Sequence, residues 1–75
     1  MNKEIETVVL TRDLPQHRLE AGDIGTIVHR YPDGNGFEIE FVSAAGGHVA
    51  VLTLKPSDIR PLEGREILHA RRLAS

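Results

Sequence analysis

The stretch Gly22-Asp23-Ile24-Gly25-Thr26-Ile27-Val28, followed by Asp33-Gly34-Asn35-Gly36 and Phe37-Glu38-Ile39-Glu40-Phe41, constrains this chain more than any other. Two strand-like segments stand on either side of a glycine turn. In the second, Phe37, Ile39 and Phe41 alternate with Glu38 and Glu40, the period-two pattern of a strand with one face toward a core and one toward water. Between the two, Pro32 presets the turn, and Asp33-Gly34 and Asn35-Gly36 tolerate left-handed backbone. The strand before the turn is read as Ile24 to Tyr31. Gly25 inside it marks a bend or a close backbone approach, and Gly22 suits a position with positive φ.

The flanking segments extend the same reading. Thr7-Val8-Val9-Leu10-Thr11 is β-branched and apolar and forms a first strand. Leu14 to Asp23 is a loop, with Leu14 and Leu19 expected to pin it to the barrel end. Ser43 to Gly47 makes the next turn. His48 to Leu54 is a fourth strand, so continuously apolar that alternation does not assign its inward face. Pro56-Ser57-Asp58 suits a single 3₁₀ turn. Ile59 to Leu62 is a short last strand, with Pro61 marking an edge or a terminus. Five short strands at this spacing predict an all-β barrel or sandwich, and a chain this short favours a small five-stranded SH3-like barrel, partly open, over residues 1–62. The remainder, 63–75, changes character. Glu66 to Ala74 carries good helix formers, but about nine residues is marginal for an isolated helix. This C-terminal tail is expected to be either frayed or docked, helical if it is regular.

Length and charge bound the function. Seventy-five residues make one domain, and a domain of this size buries only about 60% of its unfolded-chain surface. With no cysteine there is no disulfide framework and no thiolate metal cage. No apolar run approaches the roughly 18 residues of a membrane helix, and Met1 to Glu6 lacks the basic-then-apolar order of a secretory signal. A cytoplasmic protein is the expectation. The formal net charge of −2, with acids and bases interspersed, argues against nucleic acid as first choice, because phosphate binders are usually basic.

No motif carries chemistry. Asp33-Gly34-Asn35-Gly36 fails as a calcium loop, since an EF-hand counted from Asp33 would need Glu where Ala44 stands. Gly22 to Thr26 lacks the following helix that a phosphate cradle requires. His17, His29, His48 and His69 are dispersed, although neighbouring strands could bring His29 and His48 together for zinc. No nucleophile is accompanied by an oriented base, so no enzyme activity, metal or other cofactor is expected.

At this level the ordered set of residues resembles a known family. It begins with Val8-Val9-Leu10 and Asp13-Leu14-Pro15, continues through His17, Leu19, Gly22 and Gly25-Thr26-Ile27-Val28, and then Phe37-Glu38-Ile39-Glu40-Phe41. It closes with Leu52-Thr53-Leu54, Ile59 and Pro61-Leu62. The pattern resembles the short bacterial proteins grouped as domain of unknown function 4926, over roughly residues 5 to 62. That resemblance implies a bacterial SH3-like barrel and carries over no catalytic or binding residue. A looser likeness extends to translation-linked KOW barrels and to barrels of photosystem and nitrile hydratase subunits, which is a likeness of fold.

The functional expectation is therefore a non-enzymatic module that binds an unknown protein partner, with antitoxin-like or immunity-like capping as a special case. The acidic face of Glu38 and Glu40 and the basic tail of Arg65, Arg71 and Arg72 make an asymmetric surface suited to steering a charged partner, with Glu38, Glu40, Arg71 and Arg72 as the candidate binding residues. A partly open barrel also offers a free strand edge. The rival expectation is an RNA-binding KOW-type barrel using Arg30, Lys55, Arg60 and the tail arginines on phosphates. Oligomeric state is left open by the sequence.

Overall fold

The computed structural model describes residues 6–73. Residues 1–5 and 74–75, which begin the expected barrel and end the expected tail and its helical stretch, lie outside the described residues. Strands β1 (Glu6–Leu10), β2 (Ile24–Arg30), β3 (Phe37–Val42), β4 (His48–Leu54) and β5 (Ile59–Pro61) form one sheet in the order β4-β3-β2-β1-β5. All four pairings are antiparallel. The first four strands are a meander, and the chain then returns to lay β5 beside β1. Among the described residues the sheet does not close, so β4 and β5 are its two edges. This is the small, partly open barrel that the strand spacing predicts.

Register follows from which residues need the core. Ile39 stands opposite Ile27 on one side and Leu52 on the other, and Phe41 stands opposite Ala50. Ile39 is wholly buried. Val8 and Leu10 of β1, Ile27, Phe41 and Leu54 surround it. Gly25 permits this packing: a Cβ there would lie 2.6 Å from Ile39 Cγ2 and 2.8 Å from Phe41 Cε1. The expected close backbone approach is thus the reason for a glycine inside β2.

The loop after β1 is pinned as its leucines predict. Leu14 and Leu19 are both buried in the core cluster. They exchange backbone hydrogen bonds, Leu14 N–H to Leu19 O at 2.8 Å and Leu19 N–H to Leu14 O at 3.2 Å. Between them lies a 3₁₀ turn, Pro15–His17, which the sequence reading did not assign. Arg18 leaves that turn at φ 61°, the left-handed region that a non-glycine residue enters at a cost. Gly22 adopts φ 96°, as expected of it. Gly34 and Gly46 serve the two hairpin turns in the same way.

Three expectations are corrected. Glu38 and Glu40 are half-buried rather than largely exposed, because neighbouring strands on both sides of β3 crowd its outer face. Phe37, expected to be buried, is half-buried, since it sits at the hairpin end of β3 under Arg30, whose guanidinium carbon lies 5.7 Å from the ring centroid. The tail forms no helix over its described residues. Arginine–carboxylate pairs at Glu66 and Arg71 tie it to the barrel at two points, and the segment between them has no regular secondary structure. Among the described residues no helix is long and apolar enough to cross a membrane.

Candidate interaction surface

The outer face of the sheet beside β4 combines an open edge with a paired acidic row. β4 reads His48-Val49-Ala50-Val51-Leu52-Thr53-Leu54, seven residues with neither a full charge nor a proline. Among the described residues it pairs with β3 on one side only. Edge strands are commonly blunted by Lys, Pro or a short length, because unpaired N–H and C=O groups template further pairing. None of those devices is present on β4. Val51, on its outward face, is 44% exposed.

The acids stand next to that edge. Glu40 lies between Thr26 on β2 and Val51 on β4, and Glu38 lies between His29 and Thr53. Tyr31 Oη donates to Glu38 Oε2 at 2.6 Å. The His29 ring meets the Tyr31 ring edge-on, with centroids 4.7 Å apart. The carboxylate of Glu38, through that hydrogen bond and with some burial, raises the Tyr31 hydroxyl above its ordinary value. Tyr31 therefore remains a donor at neutral pH and holds Glu38 in one orientation. The sequence reading missed Tyr31; its place just before the hairpin proline, beyond the acidic strand face, was the available signal.

Most of the arginines in and around the barrel pair with carboxylates of the chain itself. Arg71 lies at the start of β2, where Nη2 is 2.6 Å from Asp23 Oδ2 and Nε is 2.9 Å from Oδ1. Its Nη2 also donates to the Arg18 carbonyl at 2.9 Å. Burial raises the Asp23 carboxyl, but hydrogen bonds from Arg71 and from the Glu20 N–H, with the Arg71 charge, outweigh it and hold the group below its ordinary value. Arg60 forks onto Glu66 at 2.9 and 2.6 Å. Arg30 pairs with Glu6, and Arg12 with the buried Asp58 at 2.8 Å. Arg72 is exposed, and its carbonyl accepts a hydrogen bond from Arg71. The structure thus brings Glu38 and Glu40 together on β3, and Arg71 with Arg72 on the tail near Asp23. It does not join the two sets.

The same geometry separates the histidines. His29 stands opposite Glu38 and His48 opposite Val42, toward opposite ends of β3. Among the described residues no group of three or more His, Asp or Glu side chains is gathered as a metal site would need.

The profile of the family described as Domain of unknown function (DUF4926) matches residues 4–61. The chain belongs to the DUF4926 family. The match takes in all five strands and ends with β5, so the tail from Leu62 lies outside the matched DUF4926 domain. No curated protein and no solved structure matches the chain. Within the DUF4926 domain the free edge of β4 and the Glu38–Tyr31 pair are adjacent features of one face. The Arg71–Asp23 pair joins the tail to the domain at another.

Proposed function

We propose that this DUF4926 protein is a non-enzymatic interaction module that takes an extended segment of a partner protein along the open edge of β4. The observation that carries the reading is an uncharged, proline-free edge strand lying directly beside a pair of half-buried carboxylates. Main-chain pairing along such an edge provides affinity, and side chains on alternate positions provide specificity. The inward positions of an added strand would cover the half-buried Leu52 and Val49 and extend the barrel wall. Its outward positions would flank Val51 and Thr53, from which a lysine or arginine reaches across to Glu40 and Glu38. The partner segment is therefore extended, apolar on one face and basic on the other. A partner that is toxic when free would make this an antitoxin-like or immunity-like protein.

The pairing of the arginines weighs against the RNA-binding alternative. Arg30, Arg60 and Arg71, three of the residues that would contact phosphate, are already engaged by Glu6, Glu66 and Asp23. A phosphate would have to displace those carboxylates at each position.

The test is a pull-down from the native host with and without nuclease, using the wild-type chain, Val51→Lys, and Glu38→Lys with Glu40→Lys. The expected result is a nuclease-resistant protein partner lost with either set. Capture of nucleic acid alone, abolished by nuclease and indifferent to these changes, would move the reading to the RNA-binding barrel.

A further inference from the structure

We propose that two copies of this chain associate about a two-fold axis, each seating Ile67 and Leu68 of its tail in an apolar groove of the other. The tail is a strap fastened on either side of this pair, by the Arg60 fork onto Glu66 and by the Arg71 fork onto Asp23. Between the two fastenings Ile67 is 92% exposed and Leu68 66%. The forks therefore order this segment without burying its two large apolar side chains in the chain's own core. A single exposed apolar residue is ordinary. An adjacent pair, held out by two charge-assisted forks, is a preformed knob whose ordering cost does not fall on association.

The complement of the knob is on the same molecule. The residues that follow it, among them His69 and Leu73, form one wall of a groove of about 320 Å3 against Ile24, Val42 and Val49. Val42, 54% exposed, is the most open of these large apolar residues. A knob and a groove side by side on one segment form a self-complementary patch, the requirement of a closed two-fold contact. Charge matches as well. Arg65, just before the knob, is exposed and forms no ion pair among the described residues. Glu20, beside the groove residue Leu19, has a side chain 60% exposed that forms a long ion pair with Arg71 of its own chain at 3.6 Å, with no hydrogen bond, and so retains acceptor capacity toward a second cation. Across the two-fold axis Arg65 of each copy faces Glu20 of the other. The groove shares Val49 of β4 with the proposed partner edge but uses neither Val51 nor Glu38 and Glu40, so substitutions at those three positions separate the dimer from the partner-binding reading.

Sedimentation velocity of the full chain over a micromolar-to-millimolar range tests it. The wild type is expected to show a reversible monomer–dimer equilibrium, weakened at least tenfold by Leu68→Asp and by Val42→Asp, each with its melting transition retained. Mixing the two variants is the discriminating step. The mixed dimer keeps one intact knob-in-groove contact, so it is expected to form more tightly than either variant alone. A chain that stays monomeric throughout, or a dimer indifferent to both substitutions, or a mixture no tighter than its components, would overturn the proposal.

Discussion

Asp23 and Arg71, forty-eight positions apart in the chain, meet in a two-bond fork at 2.6 and 2.9 Å. Asp23 also accepts the Glu20 N–H at 2.8 Å, so one carboxylate closes the turn before β2 and holds the tail. Arg71→Ala is expected to free the tail while lowering the barrel's denaturation midpoint only slightly, because the pair is partly exposed and screened by water. Amide exchange should rise sharply over 66–73 and remain unchanged in β1–β4. Deleting residues 64–75 should likewise leave a cooperative melt, because among the described residues no tail side chain belongs to the buried core cluster.

Asp58 ties the other end of the barrel. Its carboxylate accepts from Arg12 Nε at 2.8 Å and from the Lys55 N–H at 3.0 Å, and its carbonyl accepts the Thr11 N–H at 2.9 Å. It is the one buried charged residue among those described. Asp58→Ala leaves the Lys55 N–H unpaired and Arg12 without its partner, at an expected cost of about 1–3 kcal/mol. Arg12→Ala should cost less, since Arg12 is itself mostly in water. Denaturant midpoints of the two variants check the order.

Acid should act through the same carboxylates. The Arg12 hydrogen bond leads in holding Asp58 below its ordinary 3.8. Asp23 is lowered against its own burial, and Glu66 is held at about 2, first by its hydrogen bonds to Arg60. Each group binds a proton more readily unfolded than folded, so its contribution is complete above the ordinary carboxylate range and is lost as pH falls through the lowered values. Melting temperature is expected to hold from neutral pH down to about pH 5 and to fall progressively below about pH 4. Asp58→Asn should flatten part of that fall. An unaltered acid profile in that variant would show that Asp58 is not among the groups responsible.

The two glycines of the β2 approach should fail differently. Gly25→Ala sets a methyl against Ile39 and Phe41 in a packed core, and overpacking of this kind costs typically about 1–3 kcal/mol. At Gly22 there is open space around a Cβ but φ is +96°, so the strain is in the backbone alone. Gly22→Ala should cost about 1 kcal/mol, and Gly22→Val more, as a β-branched residue resists left-handed backbone. Phe41→Ala, which removes a ring from the core, should cost about 3–5 kcal/mol and leave little folded protein. Chemical denaturation of the set checks the ranking.

The sequence by itself determined the local elements. Alternation at Phe37, Ile39 and Phe41, the glycine turns, and the prolines at 56 and 61 locate β3, β4, the Pro56–Asp58 turn and β5, because each depends on side chains near one another in the chain. It also anticipated the left-handed Gly22 and the close approach at Gly25, where backbone sterics act within a few residues or across a predicted pair. Edge status, in contrast, belongs to strand order: nothing in His48–Leu54 announces that β4 has a neighbour on one side only. The half-burial of Glu38 and Glu40 likewise comes from flanking strands and from Tyr31. Above all, only the tertiary structure decided the fate of the charges. Arg71 finds Asp23, and Arg12 finds Asp58, across more than forty residues because the sheet order brings their backbones together. Ion pairs of that span leave no periodicity in the chain, and the helix propensity of the tail, spread over too few residues, yields to them.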